Sequence, residues 1–198
     1  MAELNHEALN TIFLEARTRN GWQDKAVPEK LLREIYDIAK MGPTTANSQP
    51  QRITFVTTAG GKAKLEPALG EGNRAKTMKA PAVAIFAYDM RFFELMPKLL
   101  PHAPESRFWF DYPGNEAALH ETALRNASLQ AAYFMIAARA KGLDCGPMSG
   151  FDQGKVNAAF FPDGRFKSNF ICALGYGTEE NLFGRSPRLT FDEACAVV

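Results

Sequence analysis

The chain carries no proline from Glu116 to Lys141, and apolar residues recur along that stretch at helical spacing. They are Leu119, Ala123, Leu124, Leu129, Ala132, Tyr133, Ile136, Ala137 and Ala140. A helix over 115–141 is about 40 Å long at 1.5 Å rise per residue. That is the width of a small domain, so the rest of the chain has to pack along it. Apolar side chains occupy much of the circumference, and burial on more than one side is expected. Gly142 follows where a helix needs a left-handed residue to stop. The next stretch, Leu143 to Phe151, reads as a compact loop because it contains Gly146, Pro147 and Gly150.

A core around such a helix needs enough chain, and 198 residues suffice for one domain over 1–198. Hydrophobic residues at 46% and charged residues at 23% fit a globular protein. The net charge of +1 gives no electrostatic basis for binding nucleic acid or an anionic membrane. The run Ala82 to Tyr88 is too short to span a bilayer. The start, Met-Ala-Glu-Leu-Asn-His-Glu, lacks the basic and apolar regions of a signal peptide, so a cytoplasmic location is expected. Cys145, Cys172 and Cys195 form no CxxC pair and no zinc pattern; reduced thiols and no metal are expected.

Taken in order, residues 3–16 place Leu4, Ala8, Leu9, Ile12 and Phe13 on one helical face. A polar turn with Arg17 and Arg19 follows. Pro28 opens a second helix reaching Lys40, with Leu31, Leu32, Ile35, Ile38 and Ala39 inward, and Met41-Gly42-Pro43 ends it. Residues 44–50 form a loop rich in hydrogen-bonding side chains. Residues 52–57 alternate as a strand, and 61–69 is a short helix. The continuously apolar run 83–88 predicts a central strand. Residues 90–113 hold Phe92, Phe93, Phe108, Trp109, Phe110 and Tyr112 among Pro97, Pro101, Pro104 and Pro113. They read as short helices and a loop. A small helix over 152–160 and an interior strand over 169–177 follow. Thr190 to Glu193 is a capping-box pattern opening a last helix.

Several familiar patterns fail on inspection. Gly175-Tyr176-Gly177 lacks the third glycine and the acidic residue of a dinucleotide fingerprint. Gly60-Gly61-Lys62 lacks the rest of a P-loop. Ser149 has Pro147 two residues before it, so it is no nucleophile elbow. His6, His102 and His120 are scattered and read as surface or helix residues.

Three polar clusters remain: 17–20, 43–49 and 185–188. Two of them carry arginines, whose planar fork of donors suits phosphate oxygens, at opposite ends of the chain. Read alone they are surface arginines or the two halves of one phosphate site. Their order resembles the FMN-dependent nitroreductase family. The family's opening Arg/Ser/Arg turn resembles Ala16-Arg17-Thr18-Arg19-Asn20. Its Pro-Ser-Ser-x-Asn-x-Gln-Pro signature resembles Pro43-Thr44-Thr45-Ala46-Asn47-Ser48-Gln49-Pro50. Its Asn-x-x-Lys pair matches Asn73 and Lys76. Its loop under the flavin is similar to Pro147-Met148-Ser149-Gly150-Phe151, and its C-terminal basic turn to Arg185 through Leu189. Ala-Arg-Thr-x-Asn-Gly-Trp, Cys-Gly-Pro-Met-Ser-Gly-Phe-Asp and Phe-Gly-Arg-x-Pro-Arg-Leu look most like the malonic semialdehyde reductase subgroup.

The resemblance implies an α+β, three-layer nitroreductase-like fold, a central mixed or antiparallel sheet flanked by helices, in an intertwined homodimer joined through helix 115–141. It implies FMN at the subunit seam, with NADH or NADPH as co-substrate. The cofactor-binding set is then Arg17, Thr18, Arg19, Pro43, Thr44, Thr45, Asn47, Gln49, Asn73, Lys76, Met148, Ser149, Gly150, Arg185 and Arg188. Flavin N5 carries the hydride, and no side chain is assigned as the catalytic acid. Lys76, aided by Asn73, steadies negative charge at the flavin pyrimidine edge, and a main-chain N–H near Ser149-Gly150 meets N5. Loop 43–49 reaches the flavin held mainly by the other subunit. Ala16 stands where many members have the first phosphate arginine, Asn20 where a lysine or arginine is common, and Ser149 where a glutamate often lies. The phosphate grip shifts towards Arg17, Arg185 and Arg188. Phe108, Trp109 and Phe110 are either a lid over the open flavin face or ordinary packing. Three functions stay open: reduction of a small aldehyde, 3-oxopropanoate, in pyrimidine breakdown; reduction of nitroaromatics or quinones; or a non-enzymatic flavin-binding dimer.

Overall fold

The computed structural model describes residues 3–198. Its helices are α1 (His6–Leu9), continued by a π turn (Asn10–Leu14), α2 (Glu29–Ala39), α3 (Ala59–Leu65), α4 (Glu71–Lys79), α5 (Met96–Leu99), α6 (Glu116–Ala140), α7 (Gln153–Phe160) and α8 (Phe191–Ala194). Its strands are β1 (Gly21–Trp22), β2 (Gln51–Val56), β3 (Ala82–Asp89), β4 (Asp144–Met148), β5 (Phe166–Gly175) and β6 (Gly177–Thr178). The main sheet has the order β2-β3-β5-β4 with every neighbour antiparallel, and β1 pairs with β6 separately.

The layering follows from β3, all eight of whose residues are buried. Its side chains alternate between two cores. Ala82, Ala84 and Phe86 pack with Leu32 and Ile35 of α2 and Ala131, Phe134 and Ala138 of α6. Val83, Ile85 and Ala87 pack on the other face with Leu65 of α3 and Val156 of α7. The result is helix, sheet, helix, as expected. Small residues at 127, 131, 137 and 138 bring α6 down onto the sheet. A third cluster joins Tyr88, Phe92, Phe93 and Met96 to Ala123 and Ala127 of α6. That cluster anchors the aromatic segment, which forms short helical turns as read.

The long helix ends where expected, and Gly142 takes φ +81°. Its buried positions line one face, from Ala123 through Ala138. On the other face Leu129 and Tyr133 stay 48% and 42% exposed, so one chain does not cover this helix on more than one side.

Two expectations need correction. Residues 144–148 are a strand and not a loop. β4 is an edge strand, where a proline without an N–H is tolerated, so Pro147 does not break it. The first helix is only His6–Leu9 before the π turn shifts its register. Leu4 and Phe13 remain exposed instead of facing a core. Between the expected 61–69 helix and 83–88 strand, residues 71–79 form a further helix that Gly72 and a polar composition conceal. The strands of the main sheet pair antiparallel, one of the two arrangements expected.

Cys145 and Cys172 are fully buried, and Cys195 is exposed. Burial, with the neighbouring Cys145 thiol second, pushes the Cys172 thiol well above its ordinary range. Thiol reactivity needs access and a thiolate. A thiol-specific reagent is therefore expected to modify Cys195 alone in the native protein and all three cysteines after unfolding. Rapid native labelling of Cys145 or Cys172 would contradict this packing. Among the described residues no helix is long and apolar enough to cross a membrane, and no group of acidic, His and Cys side chains is placed to hold a metal.

Candidate functional site

The 17–20 turn is laid along the open edge of β4. Thr18 bridges Cys145 in parallel register, and the Arg19 N–H donates to the Cys145 carbonyl at 3.1 Å. The Arg19 guanidinium turns inward. It donates to Asp144 Oδ1 at 3.4 Å and to the Thr178 carbonyl at 3.2 Å, across the short β1–β6 pair. Arg17 donates to the Phe183 carbonyl at 2.5 Å, and Arg185 donates to the carbonyls of Leu14 at 2.6 Å and Ala16 at 3.2 Å. The two arginine-bearing ends of the chain therefore meet. Asn20 joins the same clasp through the Asn181 carbonyl, and exposed Arg188 donates only to carbonyls of its own turn.

α4 lies beside this clasp and presents Asn73 and Lys76 one turn apart, on one face. Asn73 Nδ2 donates to the Gly150 carbonyl at 3.0 Å, and the Gly70 N–H donates to the same oxygen at 3.0 Å. A Cβ on Gly150 would lie 2.4 Å from Asn73 Nδ2, so a side chain there would push the Asn73 amide out of this position. The Trp22 indole N–H donates to the Lys76 carbonyl at 3.0 Å, and Thr77 Oγ1 reaches Met148 Sδ at 3.2 Å. These bonds tie α4 to β1 and to the end of β4. Lys79, and not Lys76, pairs with Glu180 at 3.3 Å. A cleft of about 330 Å³ is lined by Asn20, Lys76, Lys79, Asn181 and Phe183, so the opening turn, α4 and the C-terminal arm share one concavity. Ser149 and Gly150 are exposed.

The 43–49 loop lies elsewhere. It enters β2, the opposite edge of the sheet from β4. Three strand spacings separate the two edges, about 14 Å. Within one chain the structure thus groups Arg17, Thr18, Arg185, Asn73, Lys76, Met148, Ser149 and Gly150, but not Pro43, Thr44, Thr45, Asn47 or Gln49. The loop is strained: Ala46, Asn47 and Gln49 take φ +50°, +52° and +42°. Its internal bonds run from Gln49 N–H to Thr44 Oγ1 (3.2 Å) and from Gln49 Nε2 to Asn47 Oδ1 (2.7 Å), and Asn47 Nδ2 tethers it to α5 through the Leu99 carbonyl (2.8 Å).

Two residues that the sequence reading passed over hold this loop. Asn126 and Gln130 lie one turn apart on the buried face of α6. Asn126 Oδ1 accepts from the Thr45 N–H at 2.8 Å, and Gln130 Oε1 accepts from the Gln51 N–H at 3.0 Å. Two amides at four-residue spacing inside an otherwise apolar face were the available signal. Arg52 also holds the loop, donating to the Gln49 carbonyl at 3.0 Å and to Asp89 at 2.8 Å. The aromatic trio divides. Phe110 packs edge-on against Phe92 at 5.1 Å, whereas Phe108 and Trp109 are 66% and 52% exposed.

A profile of the Nitroreductase family matches residues 17–176. A protein from Ralstonia nicotianae, provisionally named an NADH dehydrogenase/NAD(P)H nitroreductase, is 52% identical over 198 residues, all of both chains. A protein of the same provisional name from Stenotrophomonas maltophilia is 53% identical over 194 residues, 98% of this chain and 97% of the other. Among solved structures, a nitroreductase from Exiguobacterium sibiricum, described as a complex with FMN, superposes with a TM-score of 0.85 at 18% identity, covering 100% of both chains. An NAD(P)H:FMN oxidoreductase from Staphylococcus epidermidis gives 0.83 at 21% identity, over 100% of this chain and 98% of the other. With the profile spanning most of the chain and near relatives matching it end to end, this protein belongs to the Nitroreductase family.

Proposed function

We propose that this chain is an FMN-dependent oxidoreductase that takes hydride from NADH or NADPH and works as a homodimer. One observation carries the reading. Asn20 of the opening turn, Lys76 of α4 and Asn181 and Phe183 of the C-terminal arm line one cleft, although they come from distant parts of the chain, and the Arg17–Phe183 and Asn73–Gly150 bonds tie the opening arginine and the Gly150 loop to those same elements. Chemically they offer forked cationic donors, a lysine and a main chain stripped of side-chain bulk, which fits a phosphorylated planar ring. The other loop of the family signature faces the opposite edge, so a second copy has to bring it to this cleft. The uncovered Leu129 and Tyr133 of α6, with exposed Ile38 and Met41 nearby in sequence on α2 and its end, supply an apolar surface for that copy.

Bound in the cleft, FMN supplies two-electron hydride chemistry, and the protein orients and tunes it. Arg17, Arg185 and Arg188, with the Thr18 hydroxyl, would hold the phosphate with guanidinium donors beyond those now given to main-chain carbonyls. Arg19 braces the turn through Asp144. Lys76 would place positive charge at the ring's pyrimidine edge, and Asn73 keeps the Gly150 carbonyl and main chain in place. Exposed Phe108 and Trp109 belong to the segment whose Leu99 carbonyl holds Asn47, so a second copy would bring them, with its 43–49 loop, to cover the open face. As substrate we infer a small aldehyde, 3-oxopropanoate reduced to 3-hydroxypropanoate, on the resemblance of the 16–22, 145–152 and 183–189 segments. Nitroaromatics or quinones are the second reading, favoured by the names of the near relatives.

The purified protein is expected to be yellow, dimeric by sedimentation, and bleached anaerobically by a reduced nicotinamide. Turnover on 3-oxopropanoate against a nitroaromatic, at equal reduced flavin, decides the acceptor. Lys76→Ala is expected to slow flavin reduction roughly a hundredfold, the effect of removing one preorganised donor. Unchanged reduction in that variant would remove Lys76 from its role. A protein that takes up no FMN would end the reading.

A further inference from the structure

We propose that Asn126 is a positioning residue for the flavin site, fixing the 44–49 loop from inside α6. The inference rests on the flavin reading above and goes beyond it, because Asn126 lies on the buried face of α6 and not in the cleft. It is 1% exposed, on a helix face that Gln130 shares with Ala123, Ala127, Ala131 and Phe134. A buried amide at such a position is unfavourable unless its polar atoms are satisfied, and a leucine of similar size would serve the core better. Both polar atoms are satisfied here. Oδ1 accepts from the Thr45 N–H at 2.8 Å, and Nδ2 donates to the Thr122 carbonyl at 2.8 Å. The second bond fixes the rotamer, and the first fixes the loop.

The loop needs that restraint. Three of its residues, none of them glycine, sit in the left-handed region, which persists only where the surroundings over-determine it. Thr45 is the residue before the first of them. Its N–H is pinned by Asn126 just before the backbone turns at Ala46, while Gln130 and Arg52 restrain the far side at Gln51 and Gln49. Removing the near anchor frees Thr44, Thr45 and Asn47 to leave the pose in which they meet flavin.

The bond can be cut from either side. Asn126→Leu removes the acceptor and keeps the volume. Thr45→Pro removes the donor and leaves α6 untouched. Thr44 is extended and Thr45 is the first residue of the 3₁₀ turn, so proline fits there; Thr45→Ala, which retains the N–H, is its reference. Two readouts are taken on each full-length variant: amide hydrogen exchange of residues 46–49 without flavin, and the FMN dissociation constant with the visible circular dichroism of bound flavin. Exchange is expected to quicken about tenfold and FMN binding to weaken about tenfold, the scale of one buried hydrogen bond. Asn126→Leu combined with Thr45→Pro is expected to do no more than the stronger single change, because both delete one bond.

Unchanged exchange at 46–49 in the variants overturns the anchoring. Faster exchange with unchanged FMN affinity and unchanged flavin dichroism overturns the link to the site. Additive effects in the double variant assign the losses to general destabilisation and also overturn the proposal. If Asn126→Leu does not fold, the comparison of Thr45→Pro with Thr45→Ala decides alone. A wild-type protein that binds no FMN defeats the flavin reading, and with it the role of the anchor, whatever the exchange data report.

Discussion

Asp89→Ala is expected to destabilise the fold by about 4 kcal/mol, the loss seen when one partner of a buried ion pair is removed. Asp89 ends β3 and is fully buried. Its carboxylate accepts from Arg52 at 2.8 Å, from Arg165 at 2.9 and 3.0 Å, and from the Arg91 N–H at 2.8 Å. The hydrogen bonds that Arg165 donates to Asp89 raise its guanidinium above the ordinary range, against the lowering effect of burial. Alanine leaves partly buried Arg52 without its carboxylate and Arg165 with only Glu94, at 3.2 Å. For a chain of this size the melting point is expected to fall by roughly 8–16 °C. Asp89→Asn keeps the shape without the charge and is expected to recover only part of the loss. Because Arg52 also donates to the Gln49 carbonyl, the strained loop loses its far restraint in the same variant. Urea unfolding and calorimetry measure the effect, and a loss below about 1 kcal/mol would show that the triad is not a keystone.

Phe134→Ala is expected to have an effect of the same size, about 4 kcal/mol, from a cavity and not from a charge. Phe134 is fully buried where α6 meets the sheet. Its ring lies 5.5 Å from that of Phe86 at 69° and 5.8 Å from that of Phe55 at 39°. It links β2, β3 and the long helix at once, and the small residues around it on α6 cannot move in to fill the space. Phe134→Leu retains most of the volume and is expected to lose about 1.5 kcal/mol. Equal losses for alanine and leucine in urea titrations would argue against a rigid cavity. The two sites are far enough from sharing a partner that their effects should add.

The sequence made the layered plan readable because its strongest signals are local. An uninterrupted apolar helix, a continuously apolar strand at 83–88 and a glycine at 142 each act within a few residues, and each is where the pattern puts it. The order of the Arg17, Thr44, Asn73, Gly150 and Arg185 segments was equally legible. Their grouping was not. Spacing along a chain does not reveal that Arg17 and Arg185 clasp each other, or that Asn73 and Gly150 share a hydrogen bond.

What the tertiary structure alone decided follows from where partners come from. Pro147 and Gly146 argue against a strand until an edge position beside β5 makes the missing N–H harmless. Asn126 and Gln130 look like blemishes on an apolar face until the 44–51 segment arrives to use them. The chain's local chemistry therefore determined its elements and the inventory of its site. Packing decided which members of that inventory stand together, because hydrogen bonds between distant segments exist only after the sheet has set their separation.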